Sequence, residues 1–287
     1  MNWTDRRERF RKLINGDKCV HPGSVYDAIS ARIAEDLGFE VGMLAGSTGS
    51  LSVLGAPDLI VLTLTEFAAQ AYRVNRAGNL SLMVDADHGY GNALSVKRTV
   101  EELETAGVAG MTIEDTVLPT PYGASGQTMI SIDEGVGKMK AALAGRQDPN
   151  LVIAGRTSAV SITGLEDAIA RGKAYEAAGV DAVFFTGVNT RDQLDAISEA
   201  LNIPIFLGSI NDALSDKEYL GARGVRIALQ GHMPIMAGVQ AVYNTLKALR
   251  DGTPPKELKG VAGRELMDQV TRAAEYKQQS ANWLKSS

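Results

Sequence analysis

Asp85 and Asp87 stand two residues apart at the end of an apolar run, Leu80 to Val84, and lead directly into His88-Gly89-Tyr90-Gly91-Asn92. On an extended strand, residues i and i+2 project to the same side, so the two carboxylates converge. Converging anions repel each other unless a cation stands between them. A hard, all-oxygen donor set with water in the remaining positions suits Mg²⁺, with Mn²⁺ as a substitute. The two glycines let the backbone approach a ligand closely. By itself an Asp- and Gly-rich stretch also reads as a solvated turn. The next apolar run, Gly110 to Ile113, ends in the same way, on Glu114-Asp115. Two successive strands ending in carboxylates point to a divalent-metal site. Asp58, after Pro57, offers a further carboxylate, or else a solvated or capping aspartate. The expected metal set is Asp85, Asp87, Glu114 and Asp58, some of them acting through bound water.

Groups suited to an oxyanionic substrate surround this set in the sequence. Arg156 closes the run Leu151 to Gly155, where a guanidinium can pair with carboxylates or grip a substrate carboxylate with two donors. Gly46-Ser47-Thr48-Gly49-Ser50 offers backbone N–H and hydroxyl donors. His232 follows Leu229-Gln230-Gly231 and either moves a proton or caps a helix. His21 reads as structural, and His88 as a neighbour of the acidic cluster. Arg156 and His232 are the expected catalytic groups; Gly46, Ser47, Arg156 and His232 are expected to contact substrate. A metal, an arginine, a histidine and a donor loop suit a small anion whose developing charge falls on a metal-bound oxygen. These residues do not separate C–C from P–C chemistry.

The elements that must position these groups follow from a repeated junction, in which a helical pattern ends at Gly and a short apolar run begins. It occurs at Gly38, Gly107, Gly179 and Gly224, where glycine accepts the left-handed backbone that closes a helix. Strands are expected near 18–22, 40–45, 80–85, 110–114, 151–155, 181–185, 203–207 and 225–229. Helices are expected between them and over 234–250. Eight β-then-α repeats predict a (β/α)8 barrel of the TIM type, with an open doubly wound sheet as the competitor. Segments 46–63 and 115–132 each follow a strand, so they lie at the C-terminal face and read as long substrate-covering loops. One domain is expected over 1–287, with a helical extension from 250 that includes a helix over about 263–284.

Composition narrows the function classes. The 287 residues are 45% hydrophobic and 22% charged, an ordinary globular balance. A net charge of −5 argues against a general nucleic-acid partner. The single cysteine, Cys19, excludes an intrachain disulfide and a multi-cysteine zinc site. No apolar run approaches membrane-spanning length, and Met1 to Lys12 lacks the apolar core of a signal peptide. A cytoplasmic protein with no membrane partner is expected.

The stretch Asp85 to Asn92, with Ile113-Glu114-Asp115, Ala154-Gly155-Arg156-Thr157 and Gly23 to Ala31, resembles the isocitrate lyase/phosphoenolpyruvate mutase superfamily over nearly the whole chain. The resemblance implies Mg²⁺, a 2-oxo acid substrate, and dimers or tetramers in which a C-terminal helix packs on the neighbouring subunit. Lyases of the superfamily carry a Lys-[KR]-Cys-Gly-His type motif in the loop that here follows Glu114, and the mutases a Lys-Thr-Asn-Ser type loop. Here Pro119 to Gln127 carries neither. Gly46-Ser47, Leu54 to Asp58, Asp85, Arg156 and Gly231-His232 look like the oxaloacetate decarboxylase branch, which implies loss of CO₂ from a small 2-oxo dicarboxylate. Gly208-Ser209-Ile210-Asn211 stands where that branch can carry a tyrosine. The alternatives are a phosphoenolpyruvate mutase, a phosphonopyruvate hydrolase or a methylisocitrate-type lyase; a non-catalytic metabolite-binding barrel is the reading from another class.

Overall fold

The computed structural model describes residues 3–284; Met1 and Asn2, in the charged N-terminal stretch, lie outside it. Helix α1 (Trp3–Ile14) comes first, then β1 (Gly23–Ser24), α2 (Ala28–Asp36) and β2 (Val41–Leu44). A short α3 (Gly46–Gly49) runs into a π-helical turn, Ser50–Leu54, before α4 (Leu64–Arg76), β3 (Ser81–Asp85) and α5 (Ala93–Thr105). Next come β4 (Gly110–Glu114), α6 (Ile132–Gly145), β5 (Val152–Thr157), α7 (Ala159–Ile162) and α8 (Leu165–Ala178). The remaining repeats are β6 (Ala182–Phe185), α9 (Arg191–Ala200), β7 (Ile205–Ser209), α10 (Lys217–Ala222) and β8 (Val225–Leu229). Three more helices follow: α11 (Met233–Arg250), α12 (Arg264–Thr271) and α13 (Ala273–Trp283). The chain divides after Gly231 into two compact units, one holding all eight strands and the other holding α11 to α13.

All eight strands pair parallel in sequence order. Val20 closes the ring: its N–H donates to the Arg226 carbonyl (3.0 Å) and its carbonyl accepts from the Ala228 N–H (3.1 Å). His21 sits at the same seam, with Nδ1 2.8 Å from the Ala228 carbonyl, a structural position. The sheet is therefore the expected barrel and not an open doubly wound sheet.

Alternation along each strand sorts the side chains into two cores. Met83, Val152, Ala154, Phe184, Phe206 and Ile227 pack inside the ring with Phe10 and Ile14 of α1, whereas Leu82, Val84, Ile113, Ile153 and Val183 pack under the helices. Helix α1 belongs to the N-terminal end of the barrel. Its buried Arg7 pairs with Asp148 (3.0 Å), and Arg6 donates to the Asn75 carbonyl (2.6 Å). A Cβ at Gly110 would collide with the Phe10 ring, so glycine there makes room for the plug.

Several boundaries differ from expectation. The first strand is Gly23–Ser24 rather than 18–22, with Val20 contributing a single bridge. The 46–63 segment contains α3 and the π-helical turn. The helix expected over 263–284 is two, broken at Arg272, whose φ is +60°. Replacing the fully buried Phe10 with alanine should cost about 3–5 kcal/mol, read as a lower urea midpoint; an unchanged midpoint would mean the plug contributes nothing.

Candidate active site

Strand parity places three charged side chains on one surface. Counting along β3, β4 and β5, Asp85 follows inward Met83, Glu114 follows Thr112, and Arg156 follows inward Ala154. All three therefore point into the ring at its C-terminal end, where barrel active sites are built. There they form a chain of contacts. The Arg156 guanidinium pairs through one nitrogen with Asp85 Oδ2, and the other lies 3.4 Å from Glu114 Oε2. Asp85 Oδ1 accepts from the Thr112 hydroxyl and from the Asp87 N–H, both at 3.2 Å. Thr116 donates to Glu114 Oε2 at 3.3 Å.

Asp87 reaches the cluster through a contorted turn. It and Tyr90 hold φ of +48° and +59°, conformations that cost non-glycine residues of order 1–3 kcal/mol each. The turn is held from several sides. The Glu114 N–H donates to the Asp87 carbonyl (2.8 Å), buried Lys138 to the His88 carbonyl (2.9 Å), and Thr99 to the Gly89 carbonyl (3.0 Å). Gly46 lies against the Asp87 carboxylate: a Cβ there would come within 2.5 Å of Oδ1. Such closeness is open only to glycine.

The electrostatics follow from burial and crowding. Burial, then the charges of Asp85, Glu114 and Asp58, push Asp87 up to about 8 against the opposing pull of Arg156. Burial also raises Glu114, with Asp85 adding to it and Arg156 opposing. Burial works against the Arg156 charge, but Asp85 and Glu114 outweigh it and hold the guanidinium firmly protonated. His88 is buried beside Lys138, and both effects bring it down to about 4, so it is a neutral imidazole.

Asp85, Asp87, Glu114, Arg156 and Gly46 are thus brought together, and Asp58 is near enough to act on Asp87. Ser47 follows Gly46 in α3. His232 opens the second unit, one residue beyond Gly231, and its side chain does not cap α11. The hard-oxygen donors and the raised Asp87 fit Mg²⁺ or Mn²⁺. Among the described residues no three carboxylates or histidines close into a direct cage, since Asp85 and Glu114 are turned onto Arg156. Thr112, Thr116 and Lys138 were not singled out from sequence: a threonine in a strand and a lysine in an amphipathic helix carry no local signal of such contacts.

Residues 10–250 match the phosphoenolpyruvate phosphomutase family, and the chain belongs to that family. An oxaloacetate decarboxylase of Bradyrhizobium sp. (strain BTAi1 / ATCC BAA-1182) is 61% identical over 96% of each chain. One from Rhodopseudomonas palustris (strain BisB18) is 60% identical over 99% of each. Among solved structures, oxaloacetate acetylhydrolase in complex with 3,3-difluorooxalacetate superposes with a TM-score of 0.84 at 29% identity, over 97% of this chain and 98% of that one. A 2,3-dimethylmalate lyase gives 0.83 at 27% identity, over 96% and 98%.

The raised Asp87 carries a sign for stability. Its folded form keeps a proton that an unfolded aspartate loses near pH 4, so the metal-free protein should lose stability as pH rises from about 4 to about 8. Melting in EDTA across that window should show the decline, and Mg²⁺ should offset it most at the upper end. A flat or rising EDTA profile would mean that burial and carboxylate crowding do not hold a proton on Asp87.

Proposed function

We propose that this chain is an Mg²⁺-dependent oxaloacetate decarboxylase, a carboxy-lyase that forms pyruvate and CO₂. The observation that carries the reading is the near-full-length likeness to oxaloacetate decarboxylases in a chain that keeps the inward trio Asp85, Glu114 and Arg156. Asp85, Asp87, Glu114 and Asp58 would hold the ion, directly or through water, and Mg²⁺ when bound supplies a Lewis acid for negative charge growing on the 2-oxo oxygen.

The chain's own groups do the rest. Arg156 binds the carboxylate next to the ketone with the terminal N–H groups that Asp85 and Glu114 leave over, since each of those acids is contacted by one of its two terminal nitrogens. Ser47 and the amides around Gly46 orient the same end. The C3–C4 bond breaks, its electron pair moves into the enolate, and CO₂ leaves from the C4 end, which should be left without a strong cationic partner. Binding that end strongly would stabilise the ground state. His232 returns a proton to C3, directly or through water. No helix among the described residues is long and apolar enough to cross a membrane; a cytoplasmic location is part of the proposal.

Oxaloacetate should give pyruvate, and the reaction should stop on exhaustive chelation and resume with Mg²⁺. No glyoxylate should form from isocitrate and no succinate from methylisocitrate; robust release of either would place the protein among the C–C lyases. His232→Ala should lower kcat by roughly 10²–10⁴-fold with less effect on KM. An unchanged kcat would leave that histidine a structural role only.

The second unit supports an assembly. Helix α11 buries only Ile235 and exposes Met233, Met236, Val242, Tyr243 and Leu246, an apolar surface larger than a lone soluble helix ordinarily shows to water. We read it as the face exchanged between subunits of a homodimer or homotetramer. Light scattering at micromolar concentration should give at least twice the 30.5 kDa chain mass, and a monomer would refute the exchange.

A further inference from the structure

Glu114 and Asp115 are consecutive at the end of β4, so their side chains leave on opposite faces. Glu114 joins Asp85 and Arg156 in the ring. Asp115 turns outward and is 1% exposed, against α8. Its Oδ2 accepts from the Tyr175 hydroxyl at 2.6 Å and from Arg171 Nη1 at 3.1 Å. The same Arg171 nitrogen donates to the Ile130 carbonyl at 2.9 Å, and its Nε to Asp167 at 2.8 Å. Tyr175 and Arg171 are themselves buried, at 0% and 6% exposure.

The backbone of Asp115 is engaged on both sides. Its N–H donates to the Arg156 carbonyl (3.2 Å), and its carbonyl accepts from the Ile130 N–H (2.9 Å). A bridge between Thr116 and Met129, and the Val117 N–H on the Thr128 carbonyl (2.8 Å), continue the pairing. Beyond it, Pro119 to Thr128 is exposed throughout. Arg171 therefore fastens both ends of the loop to each other and to α8, and the Asp115 backbone fastens the exit of the loop to the strand that carries Arg156. Asp115 does so one residue from Glu114.

Stability alone is a poor account of this cluster. A buried Arg–Asp pair is often no better than well-packed apolar residues of the same volume, because both charges must be desolvated. The forked guanidinium does supply geometry: a single nitrogen reaches the residues at the exit and return of the loop, which an ammonium cannot do with the same directionality. We propose that Asp115, Arg171 and Tyr175 are positioning residues: they fix the base of the 115–132 loop and, through it, set the placement of Glu114 and Arg156 in the reacting centre. The proposal relies on the active-face reading above but not on which 2-oxo acid is the substrate.

The test uses the full-length protein with Arg171→Met, Arg171→Lys and Tyr175→Phe. Three readouts are taken: hydrogen exchange of amides 116–129, Mg²⁺ affinity by calorimetry with the metal alone, and kcat and KM for oxaloacetate. Outer groups that orient ligands and catalytic side chains commonly change affinity or activity by about 10–100-fold. Arg171→Met is expected to speed exchange in 116–129 selectively and to lower both Mg²⁺ affinity and kcat/KM within that range. Arg171→Lys should recover part of the loss. Parent-like Mg²⁺ affinity and kinetics in a variant that merely melts earlier would overturn the proposal. If Arg171→Met does not fold, Tyr175→Phe decides, since it removes one hydroxyl: unchanged exchange, affinity and kinetics there would equally overturn it. Should the parent protein fail to turn over oxaloacetate, the reaction assignment falls, while the exchange and Mg²⁺ readouts still judge the positioning role.

Discussion

An excess of buried negative charge at one end of the barrel governs much of this structure. Asp85, Asp87 and Glu114 are all less than a tenth exposed, and the Arg156 guanidinium contacts only Asp85 and Glu114 among them. Desolvation, then the neighbouring carboxylates, oppose the charge on Asp87, and desolvation opposes that on Glu114. The fold answers with hydrogen bonds from neutral donors, namely Thr112, Thr116 and the Asp87 amide, and with a turn bent into left-handed conformations to bring Asp87 in. Such a centre is held against its own electrostatics. The stability needed to hold it comes from elsewhere, chiefly the two apolar cores and the α1 plug at the opposite end.

This division explains which features could be read from the chain. The β/α alternation was legible because helix-closing glycines and short apolar runs are local signals. The inward acids were legible because strand ends can be placed from those runs, and parity then says which residues converge. The same parity separates Glu114 from Asp115, which adjacency in sequence tends to merge. Helix α1 was not anticipated: Met1 to Lys12 was noted only as a charged stretch without a signal-peptide core, whereas Arg6 and Arg7 are buried on carbonyls and carboxylates supplied by distant segments. Only tertiary contacts reveal that.

Other departures share the cause that long-range partners override local preference. Val20 looked like the middle of a strand, yet a single bridge to β8 is all the seam needs, and pairing with β2 begins at Gly23. The Gly- and Ser-rich stretch after β2 read as a loop, but the chain coils through α3 and the π-helical turn, with Gly46 against Asp87. The break at Arg272 has no glycine to announce it. Lys138, Arg171 and Tyr175 lie on helices whose patterns read as ordinary amphipathic faces; what they hold became visible only once α6 and α8 were seen beside the ends of β3 and β4.

The proton inventory constrains the chemistry further. A lyase that expels a carbanion needs an acid close to it, and a thiol placed in the 115–132 loop would serve. Here that loop carries no cysteine, and the lone thiol, Cys19, lies buried in the outer core with its pKa pushed up to about 11, chiefly by burial. It is neither in the mouth nor acidic enough to give up a proton readily at neutral pH. His88 is near the acids but buried and neutral, and Tyr90, raised well above its ordinary range by burial and by Asp87, is no better as a donor. Asp85 and Glu114 are turned onto Arg156, and the proton that burial leaves on Asp87 in the metal-free protein would be displaced by a bound divalent cation. A reaction whose electron pair can rest on an oxygen until water delivers the proton asks the least of this residue set. Loss of CO₂ from a 2-oxo dicarboxylate is such a reaction, because the enolate it leaves does not depend on an acid poised at the moment of bond cleavage.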